Sequence, residues 1–412
     1  MALDRLESLM KFHPFTRLNK LLENVMPGGG NTPFLLSVGE PQFSPPSLVA
    51  EKVAEAAGQW GKYPLATGTE AFRQAVRSWA DKRYDLPTGL LNADQHILPV
   101  AGTREALFHI ALSVVPEYDR SQDGERPVVL MPNPFYHVYA GAAAAAGAEP
   151  YFVPARADSN FLPVIADIPP AILKRTVLAY LCSPANPQGS IADLDYLTAW
   201  LRLARQHDFV LASDECYAEI YLETPPPGAL TAARDLGGSL DKLLVFHSLS
   251  KRSSGAGLRS GFIAGDTGLI KRQIQLVNYG GVAQPYPILH AATALWQDED
   301  HVIANRQRYQ QNFALAQQIL GPIFGEIRSA GGFFLWLDVG DGERATVELW
   351  RRTAIKVLPG GYMARPDDHG DNPGARYIRV ALVYEPTEME PVLKRMAAVL
   401  ADLVGKHAID KI

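Results

Sequence analysis

At 412 residues the chain holds two to three domains at roughly 150 residues each, which excludes a small stapled scaffold. Its 39 Lys+Arg against 44 Asp+Glu give a formal charge of −5 with no basic block, so nucleic acid is set aside as the main partner. The 2 cysteines, Cys182 and Cys216, form neither a disulfide framework nor a zinc spacing, and without a signal-like start or an apolar run near ~18 residues a cytoplasmic protein off the membrane is expected.

In chain order, residues 1 to about 45 read as irregular and rich in Pro and Gly. The phrase AGTREALFHIAL then runs from Gly102 and Thr103 into an apolar helical pattern. Free N–H groups and the positive dipole end at such a glycine-led start suit a phosphate, and with no GxxxxGK[ST] motif that phosphate need not belong to a nucleotide. Short apolar runs follow at Val128 to Met131, Pro150 to Val153, Thr176 to Cys182, Phe209 to Ser213, Leu243 to His247 and Gly261 to Ala264. Their length and composition predict strands buried on both faces. The alanines Ala142 to Ala146, flanked by Gly141 and Gly147, predict a helix packed closely on that sheet. Leu194, Leu197, Leu201 and Ala204 stand at helical spacing behind a cap at Ser190 or Asp193. Strand, helix, strand repeated in this way predicts a mostly parallel sheet covered by helices.

In such sheets ligands bind beyond the carboxyl ends of the strands. There the sequence places Tyr136 in PNPFYHVY, Asn186 in CSPANPQGS, Asp214 and Tyr217 in SDECYAEIY, and Ser248, Ser250, Lys251 and Arg259 in HSLSKRSSGAGLRSGFIAGD. A crowded Lys has its pKa lowered by desolvation and neighbouring cations, which frees the amine as a nucleophile. Gly255, Gly257 and Gly261 do not make a dinucleotide fingerprint, because their spacing is GxGxxxG and they lead into a strand. A phosphate cradle, an aromatic plate, an Asn, an Asp near a Tyr, a Lys and an Arg at one sheet edge are the parts that a bound pyridoxal phosphate requires.

With these residues and their separations (Asn186 to Asp214, Asp214 to Lys251, Lys251 to Arg259, Arg259 to Arg379), the chain resembles the class I/II aminotransferases of fold type I over nearly its whole length. The phrases MPNPFYHVYAGAA, ECYAEIY, SLSKRSS, GLRSGFIAGD, VLPGGYMAR and NPGARYIRVALV resemble the bacterial N-succinyldiaminopimelate aminotransferases of lysine biosynthesis within that family. Position 258 is Leu where many relatives carry Trp, in agreement with that subfamily.

The resemblance implies an α/β fold: a three-layer αβα large domain with a mostly parallel sheet over 46–298, an N-terminal arm over 1–45 that joins the small domain, and a small C-terminal α/β domain over 299–412. It implies pyridoxal 5'-phosphate joined to Lys251, which also moves the substrate proton, with Asp214 on the pyridine nitrogen. Asn186 and Tyr217 would reach the 3-oxygen and Tyr136 would stack on the ring. Gly102, Thr103, Arg104, Ser248 and Arg259 would hold the phosphate. Tyr63, in KYPLATG, would reach the phosphate of a neighbouring subunit, which implies a homodimer with shared sites. Arg379 would clasp the substrate α-carboxylate, with Val38 and Gly39 lining the same pocket. The activity implied is amino transfer between glutamate and N-succinyl-2-amino-6-oxopimelate, with no metal. A transaminase for acetylornithine, aspartate or aromatic amino acids, or a lyase or cyclising synthase on the same fold, stays open. Lys11, Arg17 and Arg252 are candidates for the substrate's far end, with Arg252 more readily a structural residue.

Overall fold

The computed structural model describes residues 13–28, 30–116, 125–327 and 329–409. Its strands in chain order are β1 (Phe34–Leu35), β2 (Ile97–Val100), β3 (Val128–Asn133), β4 (Glu149–Pro154), β5 (Thr176–Cys182), β6 (Val210–Asp214), β7 (Leu243–Ser248), β8 (Gly261–Gly265), β9 (Phe334–Asp338), β10 (Ile355–Lys356), β11 (Leu358–Pro359) and β12 (Tyr377–Ala381). A 7-stranded sheet has the order β2-β8-β7-β6-β5-β3-β4, in which only β8 runs antiparallel to its neighbours.

Alternation along each strand explains how the sheet is buried on both faces. Leu130, Leu181, Leu211 and Val245 enter one core with Trp79, Trp200 and Trp296. Met131, Tyr180, Ala212 and Phe246 enter the opposite core. The predicted alanine-rich helix is there as His137–Ala145, and its Ala142 and Ala143 are fully buried against that second face. Asp193, not Ser190, caps the helix Leu194–Gln206 by accepting from the Tyr196 N–H at 2.8 Å. The strand β2 lay outside the predicted runs; it pairs antiparallel with β8 at the sheet edge.

A second sheet of 3 strands, order β11-β12-β9, packs against the helices Asp300–Phe324, Gly342–Thr353 and Pro386–Ile409 around a third core that includes Leu335, Leu349, Ile378 and Leu393. The stretch expected to be irregular holds a helix, Pro14–Leu22, with Pro at its first turn and Leu18 and Leu22 buried on Tyr362 and Met363. Propensity alone does not show this short helix, because tertiary packing of one apolar edge supplies its stability. Further on, β1 pairs in parallel with β10, and the neighbouring Leu36 and Ile355 join the third core.

Candidate active site

The carboxyl ends of β5, β6 and β7 lie in register, with Cys182 opposite Asp214 and Asp214 opposite Phe246. Where they end, a cavity of about 510 Å³ opens against the second sheet. Its walls carry Gly39, Thr103, Arg104, Tyr136, Asn186, Asp214, Tyr217, Ser248, Lys251, Arg259 and Arg379. Gly102 touches the same site through Arg259. Tyr63 is 99% exposed and stands outside the cavity of its own chain.

Lys251 sits on a single turn of helix, Leu249–Arg252, that Ser248 caps by accepting from the Ser250 N–H at 3.1 Å. Its amine donates to the Gly39 carbonyl and lies 5.3 Å from the centre of the Phe333 ring. Burial lowers its pKa to about 8, and the charges of Arg379 and Arg104 act in the same direction. Asp214 accepts from the Tyr139 hydroxyl at 2.7 Å and from the Cys216 N–H at 3.2 Å. Burial raises its carboxyl above the ordinary range, while those hydrogen-bond partners pull it back. Tyr139 was not singled out from sequence. It lies three residues after Tyr136, a spacing that puts both on one helix face, and that was the available signal.

The phosphate cradle has a physical basis of its own. Gly102 has φ of +84°, and a Cβ there would lie 2.0 Å from the Arg259 Nη2. The helix Thr103–Val114 that follows starts with no side-chain cap, so its first N–H groups stay available. Arg259, itself at φ of +51°, is held by the carbonyls of Ala101 and Ala256 at 3.2 and 2.9 Å. The Ser248 hydroxyl donates to Ser250 at 2.9 Å, which adds Ser250 to the groups at the cradle. Tyr136 accepts from the Arg104 Nε at 2.8 Å. A glycine that clears room beside a guanidinium at an uncapped helix start fits a phosphate, so these residues fit pyridoxal phosphate. Replacing Gly102 with Ala should weaken cofactor binding by about tenfold, equal to ~1.4 kcal/mol, because Ala at positive φ is strained and crowds Arg259. Titration of cofactor absorbance checks this, and an unchanged Kd contradicts it.

Across the cavity, Arg379 comes from β12 in the other sheet and is buried. It donates to the Asn186 Oδ1 at 2.8 Å and to the Ser37 carbonyl at 2.6 Å, and its guanidinium carbon lies 4.2 Å from the centre of the Phe334 ring. Its Nε has no hydrogen-bond partner, and no carboxylate pairs with Arg379 among the described residues. Burial lowers its pKa to about 10. A buried guanidinium that lines a cavity without a counter-ion is arranged for an incoming carboxylate.

Of the candidates for the far end of a substrate, Lys11 lies outside the described residues. Arg252 points away: it is buried between Trp79 and Trp296, donates to the Leu295 carbonyl at 2.6 Å and pairs with Glu299. Arg17 stacks 3.8 Å over the Tyr362 ring and lies 3.6 Å from Glu343.

The family model for aminotransferase class I and II matches residues 31–395. The chain belongs to the class I and II aminotransferases. An LL-diaminopimelate aminotransferase of Aquifex aeolicus is 29% identical over 86% of this chain and 87% of its own length. The 4-dedimethylamino-4-oxo-anhydrotetracycline transaminase OxyQ of Streptomyces rimosus is 31% identical, covering 84% of this chain and 88% of its own. Among solved structures, an aminotransferase from Neisseria meningitidis superposes with a TM-score of 0.88 at 39% identity, over 94% of this chain and 97% of the other. This aminotransferase therefore has the α/β fold expected for it and depends on pyridoxal phosphate. It takes amino acid and 2-oxo acid substrates. None of its described helices is long and apolar enough to cross a membrane.

Proposed function

We propose that this aminotransferase moves an amino group between glutamate/2-oxoglutarate and N-succinyl-LL-2,6-diaminopimelate/N-succinyl-2-amino-6-oxopimelate. The observation that carries amino acid transfer is that one cavity holds the amine of Lys251 and a buried guanidinium, Arg379, with no carboxylate partner among the described residues. The succinylated substrate is supported by the phrases VLPGGYMAR and NPGARYIRVALV, and the relatives named for LL-diaminopimelate act on the same carbon skeleton. Those relatives also favour a second reading, free LL-diaminopimelate as the amino donor.

Bound in the cavity, pyridoxal phosphate supplies an electrophilic aldehyde and an electron sink. Gly102, Thr103, Arg104, Ser248 and Arg259 would hold its phosphate, Tyr136 would lie against its ring, and Asn186 and Tyr217 would meet its 3-oxygen. Asp214, held in place by Tyr139 and Cys216, would offer its carboxylate to the ring N–H. Arg379 orients the substrate through the α-carboxylate, which brings the α-carbon toward Lys251. The Lys251 Nζ would then accept the proton from that α-carbon and deliver it to the former aldehyde carbon of the cofactor. Tyr63, Trp60 and Leu65, all exposed in a single chain, support a homodimer in which Tyr63 serves the partner's cofactor phosphate.

Following the spectrum of the bound cofactor with succinylated, acetylated and free donors tests the substrate. The succinylated diaminopimelate should give the highest kcat/KM. A higher value for free LL-diaminopimelate or acetylornithine overturns the proposal. The neutral form of Lys251 grows as pH rises through about 8. Coupling of pyridoxal phosphate to the cofactor-free chain should therefore quicken about tenfold from about pH 7 to about pH 9 and then level off. A rate still climbing toward 10.5, the ordinary lysine value, would contradict the lowered pKa.

A further inference from the structure

Transfer by the residues above depends on a separation that neither of the two main groups sets for itself. Lys251 follows β7 in the 7-stranded sheet, whereas Arg379 belongs to β12 in the 3-stranded one. A substrate held by its α-carboxylate reaches the amine only if the two side chains keep their spacing, and about 1 Å of misplacement is enough to cost on the order of 10²-fold in rate. The helix Asp300–Phe324 touches the backbone next to both.

Near the start of this helix the Asn305 Nδ2 donates to the carbonyls of Lys251 and Arg252 at 3.0 and 3.1 Å, two acceptors that a single turn of helix leaves without internal partners. The Asn305 Oδ1 accepts from the Ser254 hydroxyl at 3.0 Å. One turn earlier, the His301 Nε2 meets the Ser253 Oγ at 2.8 Å and its Nδ1 meets Asp298. Ser, His and Asp stand there in the order of a nucleophile relay. Ser253 is buried and off the cavity wall, however, so the three brace the lysine turn instead. Two turns beyond Asn305, about 10 Å along the axis at 1.5 Å per residue, the Asn312 Nδ2 donates to the carbonyls of Leu382 and Tyr384 at 3.2 and 2.9 Å, directly past the strand that carries Arg379. Between the two asparagines Tyr309 stacks on Phe333 with ring centres 5.3 Å apart; Phe333 faces the Lys251 amine, and its neighbour Phe334 faces Arg379. Positions 301, 305, 309 and 312 fall on one helix face.

We propose that this helix is the gauge between the two sides of the active site, with Asn305 the positioning residue for Lys251 and Asn312 the positioning residue for Arg379. The proposal rests on the roles given above to Lys251 and Arg379 and is independent of which far group the substrate carries. Neither asparagine lines the cavity, so each acts through the backbone carbonyls it holds. The helix runs between them without a proline, as a rigid spacer, and loss of one amide releases one end only. The two ends therefore fail differently: Asn305 governs the amine, and Asn312 governs the grip on the substrate carboxylate.

The test uses the full chain without and with its cofactor. Without it, Asn305→Ala should slow the coupling of pyridoxal phosphate to Lys251 about tenfold, while Asn312→Ala should stay within about twofold of the wild type. In the holoenzyme, titration with glutamate followed by the cofactor spectrum should show a maximal rate about 30-fold lower for Asn305→Ala with Kd within about threefold, whereas Asn312→Ala should raise Kd about tenfold and leave the rate within about threefold. Gln310→Ala removes contacts of the same kind from the same helix, to the Tyr221 and Leu222 carbonyls, and should leave both readouts within about twofold. Asn305→Ser and Asn312→Ser, which keep a polar group in each place, take over where an alanine variant does not fold. Equal losses in all three variants, or coupling by Asn305→Ala at the wild-type rate, overturn the gauge. If the wild type is inert to glutamate, the donor assignment fails and the coupling rates alone decide the gauge. If Lys251→Ala and Arg379→Ala lose activity while the two asparagine variants do not separate, the gauge fails alone.

Discussion

Lys251→Ala should abolish turnover, with kcat falling by at least about 10⁴-fold. General acid–base transfer by a positioned group contributes on the order of 10²–10⁴ in rate, and this variant removes the covalent anchor as well. The substitution itself is structurally mild. The amine makes one hydrogen bond, to the Gly39 carbonyl, and the short helix around it is capped by Ser248 independently of the side chain. A melting temperature close to that of the wild type, with activity lost, is the expected pair of results. The variant should also bind pyridoxal phosphate without the borohydride-trappable linkage expected of the wild type. Activity within about a hundredfold of the wild type would remove Lys251 from the centre of the site.

Arg379→Ala should lower kcat/KM for amino acid substrates by about 10³-fold, since two charge-assisted hydrogen bonds to a carboxylate are worth about 1.5–3 kcal/mol each. The loss has two sources. The substrate carboxylate loses its partner, and the Asn186 Oδ1 and the Ser37 carbonyl lose the donors that hold them at 2.8 and 2.6 Å. Arg379→Lys keeps the charge but not the planar fork, so a drop of about 10²-fold is expected. An amine substrate without an α-carboxylate separates the two sources. The wild type should use it poorly, and the Ala variant should lose on it only the smaller share that comes from the Asn186 and Ser37 contacts. Equal losses for both substrates would show that Arg379 acts through the fold and not through the carboxylate.

Much of the architecture was legible because strands and helices carry different periods. Alternation in the runs around Leu178 to Leu181 and Leu243 to Phe246 sends neighbours to opposite faces, and both faces are buried. The helix Pro14–Leu22 was missed because its 9 residues carry no cap signal and its stability comes from Tyr362 and Met363, over 300 positions away. That Asp214, Ser248 and Lys251 share one cavity was legible for a geometric reason: each ends or closely follows a predicted strand, and parallel strands end at one edge. Arg252 could be weighed only as one of two possibilities, since adjacent residues on a helical turn point in different directions. The fold turns it to Trp79 and Trp296.

The sequence by itself determined the class of chemistry, because residue types and their separations along strand ends limit which groups share an edge. It also marked the family through motifs that extend over most of the chain. Only the tertiary structure decided what each charged group meets. Arg379 finds Asn186 across 193 positions of sequence, and Tyr139 finds Asp214 across 75. Burial and electrostatic potential are sums over such distant neighbours, so the lowered pKa values of Lys251 and Arg379 come into being only when the chain has folded.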